Sequence, residues 1–364
     1  MTPRKGSASR QPPSRTADST AGKPLTGRVA AVAGATRGAG RGIARALGEA
    51  GATVYCTGRS TRGNPSPYAR PETIEETADL VTAAGGVGIA ARVDHAVEAD
   101  VMALFERVQQ EQGRLDVLVN SVAGEDPMMG GWGSFWESDL SKGVDVLRAA
   151  VLSHMITAKY AAPIMIKQRR GLIVEVTESD LLIGGGGGNL LHNVVKHANK
   201  GLALMMADEL RPHRVAVLAI TPGFLRSESM LQHFGVTEAT WREAGKKDPH
   251  FLASESPLYV GRAVAALAAD PKVLARTGDV TASWLIAREF GFADADGTRP
   301  DWGKHCQTAV VPSMKWVKDG FHRYVDLLER HAGRVREYLG DARERTVGRV
   351  GVHARESAAH EQRV

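Results

Sequence analysis

The chain has 364 residues, 43% of them hydrophobic and 24% charged, a globular profile long enough to bury a core without covalent staples. Its two cysteines, Cys56 and Cys306, make neither a disulfide framework nor a metal cluster, so no metal and a reducing, cytoplasmic setting are expected. The net charge of +5 collects in the tails without an aromatic–basic platform, and neither a signal h-region nor an apolar run of about 18 residues is found, so no nucleic acid and no membrane are expected.

Residues 1–26 mix Ser, Thr, Pro, Gly and Arg without periodicity and read as a disordered tail. The apolar run 29–33 reads as a buried parallel strand. A helix follows over 41–50, closed by Gly51, and then a second strand over 52–56. After a Gly/Pro/Ser-rich connection, Pro71 is expected to open a helix toward Ala84. Strands over 87–93, 115–119, 172–176 and 215–220 alternate with helices over 99–112, 140–169 and 191–210, and a late strand lies near 279–284. Such alternation implies right-handed βαβ units in one α/β domain over 27–300, a Rossmann-type doubly wound parallel sheet with helices on both faces. Residues 301–364 read as a helical, basic extension, with Phe321, Tyr324, Val325 and Leu328 on one face of a helix over 314–331.

The turn after the first strand is Gly34-Ala35-Thr36-Arg37-Gly38-Ala39-Gly40, opening a helix. Glycines there let backbone N–H groups approach a pyrophosphate, whose charge is stabilised by the helix N-terminus. An acidic residue ending the second strand would bind the free ribose hydroxyls of NAD. This chain instead has Arg59 there and Arg37 in the turn, guanidiniums suited to the 2′-phosphate of NADP(H). Asp94, ending the third strand, is placed to meet the adenine, and Asn120, ending the fourth, to fix strand edges beside the cofactor.

These residues resemble the short-chain dehydrogenase/reductase family over about 27–290. Its Thr-Gly-x-x-x-Gly-x-Gly is matched by Ala33-Gly34 through Gly38-Ala39-Gly40, lacking only the threonine, and its Asn-Asn-Ala-Gly, loosened by one residue, by 120–124. The family's Pro-Gly turn is matched by Pro222-Gly223, with Ser227 near the threonine that usually holds the nicotinamide carboxamide. The resemblance implies a nicotinamide cofactor, a small-molecule substrate and a homodimer or homotetramer formed through the helices at 99–112 and 140–169.

The catalytic pattern departs from the family. Its Tyr-x-x-x-Lys, which puts two side chains on one helix face, is matched by His192-Asn193-Val194-Val195-Lys196. The family's glutamate 13 residues beyond the lysine falls on Glu209, which supports Lys196 as the match. In the same register Glu178 stands at the family's serine and Ala150 at its asparagine. A histidine can exchange a proton near neutral pH; Lys196 disfavours the imidazolium and Glu178 favours it. Three readings stay open: an NADPH-dependent reductase of a carbonyl or related group; a non-redox cyclase, dehydratase or isomerase using His192 and Glu178; and an inactive dinucleotide-binding partner protein. Trp132, Phe135 and Trp136 are candidates for a substrate wall or for core packing.

Overall fold

The computed structural model describes residues 23–66, 70–123, 134–178 and 189–310. The strands are β1 (Val29–Ala33), β2 (Thr53–Gly58), β3 (Val87–Arg92), β4 (Val117–Asn120), β5 (Gly171–Val176), β6 (Val215–Thr221) and β7 (Val280–Ala282). They form one parallel sheet in the order β3-β2-β1-β4-β5-β6-β7. The strand order reverses between β1 and β4, so a crevice opens at their carboxyl ends, where sheets of this kind bind ligands.

Both faces are covered, which explains why the strands are apolar throughout rather than alternating. Ala30, Val32, Val119 and Val174 face α1 (Gly38–Glu49), α2 (Ile74–Ala83) and α8 (Pro257–Ala269). Ala31, Leu118 and Ile173 face α3 (Glu98–Gln112), α5 (Ser153–Gln168) and α6 (Leu190–Leu210). A short α4 (Gly143–Leu147) runs into α5 through the π-turn Arg148–Leu152. Together α4 and α5 span 26 residues and are apolar enough by composition to cross a membrane, yet Ala158, Ala161 and Met165 pack into the sheet's core.

Several boundaries differ from the sequence expectation. Pro71 does not open α2; Thr73 does, its hydroxyl accepting from the Glu76 amide while the Glu76 carboxylate accepts from the Thr73 amide. Residues 23–26 belong to the body, because Leu25 is buried and donates its N–H to Ala50. The body also continues through 310, where Cys306 and Val310 are buried. The helix expected over 314–331 lies outside the described residues.

Unforeseen elements lie between β6 and β7: α7 (Glu228–Phe234) and α8, which Ser256 caps and Pro257 begins. Two more follow β7: α9 (Ser283–Phe290) and α10 (Trp302–His305).

Candidate active site

The Gly34–Gly40 turn sits at the carboxyl end of β1. Gly34 has φ +81°, and a Cβ there would lie 2.7 Å from the Ser121 carbonyl oxygen of the loop after β4. A Cβ at Gly40 would lie 2.1 Å from the Gly34 oxygen, so neither position admits a side chain. Thr36 is buried within the turn. The amide of Gly38, first residue of α1, donates to the Glu228 carboxylate at 2.8 Å, with Arg41 3.6 Å from the same carboxylate. An acidic group thus stands on the helix N-terminus where a phosphate oxygen is expected.

Arg37 turns toward the connection between β2 and α2, its Nε 3.7 Å from Glu72 and an Nη 3.4 Å from the Ser66 hydroxyl. Glu72 is already held by Arg70, so it offsets only part of the Arg37 charge. Arg59 is exposed and shares a cavity of about 270 Å3 with Asp94 and Arg148. Arg148, on the π-turn, is a further cation that sequence reasoning did not single out. One Asp94 oxygen accepts from the Ala96 amide, which fixes the carboxylate at the carboxyl end of β3.

At the end of β5 the three candidate catalytic residues converge. Glu178 Oε2 lies 3.5 Å from His192 Nε2 and 3.9 Å from Lys196 Nζ. Asn189 caps α6 by accepting from the His192 amide, and the Thr177 hydroxyl donates to the Lys196 carbonyl, so the start of α6 is tied to the end of β5. His192 and Lys196 are 24% and 13% exposed and Glu178 60%, so the carboxylate connects the pair to solvent. His197 is exposed and bonds its own helix at Asn193. Ala150 is buried beside Val146 and Val195 and brings no polar group. Phe135 and Trp136 are exposed and pack edge to face, which rules out core packing for them; Trp132 lies outside the described residues. Among the described residues no group of three or more His, Cys, Asp or Glu is placed to hold a metal.

Beneath this site runs a buried polar network that sequence reasoning missed. His154 Nδ1 lies 2.6 Å from Glu175 Oε2, and the Asn120 amide donates to the other Glu175 oxygen at 2.7 Å. His154 Nε2 is 2.8 Å from the Val122 carbonyl, which can only accept, so that nitrogen carries a proton. Asn120 therefore does bridge β4 to β5, and through His154 the network reaches the loop against which Gly34 packs. His95 lies between the hydroxyls of Thr57 and Thr157, and burial, followed by the nearby His154, pushes its pKa down to about 3. The available signal was Glu175 itself, an acidic residue inside the otherwise apolar Leu-Ile-Val-Glu-Val run, which a buried strand tolerates only with partners.

A family model for short chain dehydrogenase matches residues 28–235. The chain belongs to the short-chain dehydrogenase/reductase family. It is similar to "Dehydrogenase/reductase SDR family member 1" of Mus musculus, 37% identical over 284 residues covering 75% of this chain and 85% of the relative. The Homo sapiens protein of the same name is 35% identical over 278 residues, with the same two shares covered. Among solved structures, YwfH, an NADPH dependent reductase involved in bacilysin biosynthesis, superposes with a TM-score of 0.57 at 20% identity, covering 70% of this chain and 96% of that one.

In this short-chain dehydrogenase the Pro222–Gly223 turn is held by a residue far along the chain. Glu255 Oε2 accepts from the Gly223 amide at 2.9 Å and from the Ser283 hydroxyl at 2.6 Å. Ser227 caps α7 beside Gly38. Burial pushes the Glu255 pKa up to about 8, so its carboxyl binds a proton on folding that the unfolded chain releases above about 4.5. Because the folded value is the higher one, the contribution is complete below about 4.5 and is lost as pH rises through about 8. Glu255→Gln should therefore flatten the decline of urea-unfolding stability across that window. An unchanged pH profile would contradict this assignment.

Proposed function

We propose that this short-chain dehydrogenase is an NADP(H)-dependent oxidoreductase that reduces a carbonyl, or a related group, of a small organic molecule. The convergence of His192 and Lys196 on Glu178, two strands from the Gly34–Gly40 turn, carries the reading. The likeness to YwfH, an NADPH dependent reductase, supports the cofactor assignment. When bound, the nicotinamide supplies the hydride to the carbonyl carbon.

The chain's own residues do the rest. The N-terminus of α1 would hold the pyrophosphate once the Glu228 carboxylate leaves the Gly38 amide, with Arg59, Arg37 and Arg148 near the 2′-phosphate and Asp94 at the adenine. Lys196, Pro222, Gly223 and Ser227 would flank the nicotinamide end. His192 donates the proton that the reduced oxygen needs and is left neutral. Glu178, the most exposed of the three, returns a proton from solvent.

His192 and Glu178 can each hold a proton, so the same pair also suits proton transfer beside a carbonyl without hydride transfer. Conversion of a substrate with no change in nicotinamide absorbance would favour that second reading. For assembly, we propose a homodimer or homotetramer contact through α3 and α5, where Met102 and Met155 are exposed, in a cytoplasmic setting.

Loss of one charge-assisted hydrogen bond costs about 1.5–3 kcal/mol, roughly ten- to hundredfold in affinity. Arg59→Ala should therefore weaken NADPH binding by that factor and leave NADH binding nearly unchanged, as read by fluorescence titration. An equal effect on both cofactors would remove Arg59 from the 2′-phosphate site.

A further inference from the structure

At the opposite end of the sheet, the amino ends of β1, β4, β5 and β6 surround a recess of about 230 Å3. Arg28, Arg169, Arg170 and Arg214 line it, with Asp116 and Asp270. Asp116 is fully used: its oxygens accept from Arg28 at 2.8 Å, from Arg114 at 2.6 and 2.8 Å, and from the Val29 amide at 2.9 Å. Asp270 faces Arg276 at 3.8 Å. Arg169, Arg170 and Arg214 form no ion pair among the described residues, so the recess holds a positive excess. Burial and the charge of Arg28 lower the Arg170 pKa, and the nearby Asp116 offsets only part of that effect.

The backbone supplies an independent sign. Arg169 (φ +52°) and Arg214 (φ +62°) are the only non-glycine residues with positive φ among the described residues, while ten glycines take such values. Each closes a helical turn just before a strand, where glycine is the usual residue. A side chain in this conformation costs about 1–2 kcal/mol. That both exceptions are arginines, and that both line the same recess, is not explained by helix capping.

We infer that this recess is a binding site for a small phosphate-bearing anion, separate from the dinucleotide crevice by the length of the strands. Arginine forks match phosphate oxygens in pairs. A recess of this size takes a pyrophosphate or a small phosphorylated metabolite, whereas a peptide segment would need a longer groove.

The test is calorimetric titration of inorganic pyrophosphate into the full chain with excess NADP+ present. Wild type should bind one pyrophosphate, and R169G/R214G should bind it at least tenfold more weakly. Because glycine is at ease in the left-handed region, that variant should melt at or above the wild-type temperature without pyrophosphate. Should it melt lower, R170Q carries the binding comparison with no backbone change. Pyrophosphate binding undiminished in both variants would overturn the site, as would wild-type heats no larger than those of sodium chloride at equal ionic strength.

Discussion

Replacing His192 with phenylalanine should lower kcat for carbonyl reduction by about 10²–10⁴-fold, the usual contribution of a positioned acid–base group. NADPH affinity should stay near that of wild type, because the ring stands beside Glu178 at the end of β5, two strands from the turn at Gly34. Glu178→Gln should give a smaller loss in kcat, since the glutamine keeps the contact 3.5 Å from His192 Nε2 but cannot carry a proton from solvent. Its signature is a loss of kcat that added small acid buffers partly restore, which a merely structural role would not produce. Steady-state turnover at saturating NADPH, with cofactor binding measured separately, decides the matter. If both variants turn over like wild type, His192 and Glu178 are not the proton-transfer pair.

The register that led to these residues was legible through the resemblance to the family, and local rules agree with it. A lysine four residues after His192 shares its helix face, and the apolar run before Thr177 fixes where β5 ends. The parallel sheet and the Gly34–Gly40 turn were legible from such local rules: buried strands and tight turns are written in consecutive residues. Contacts between residues far apart in sequence were not. Glu255 reaches Gly223 across 32 residues, and Arg148 lines one cavity with Arg59 although 89 residues separate them. Pro71 gave a misleading signal, because the reciprocal Thr73–Glu76 cap satisfies more backbone donors than a proline at the first turn. His154 was hidden by an apolar helix whose composition gives no sign of what its one histidine faces.

Glu175→Leu should destabilise the fold by about 3–5 kcal/mol, because breaking one side of a buried pair leaves the other side uncompensated. Glu175 and His154 are 0% and 1% exposed, so water cannot replace the lost partner. The Asn120 amide would lose its acceptor in the same step. His154→Leu should cost a similar amount, leaving the carboxylate without its imidazole and the Val122 carbonyl without its donor. The double replacement should be markedly less destabilised than the sum of the two, since apolar side chains of similar volume can fill the site once neither polar group remains. Urea unfolding of the four proteins measures this coupling directly, and additive losses would show that the pair does not act as a unit. The double variant also separates stability from function. With the fold largely restored, the loop carrying Val122 would still lack the proton that holds it against Gly34. Its NADPH affinity should therefore remain below that of wild type, whereas full recovery would make the network purely structural.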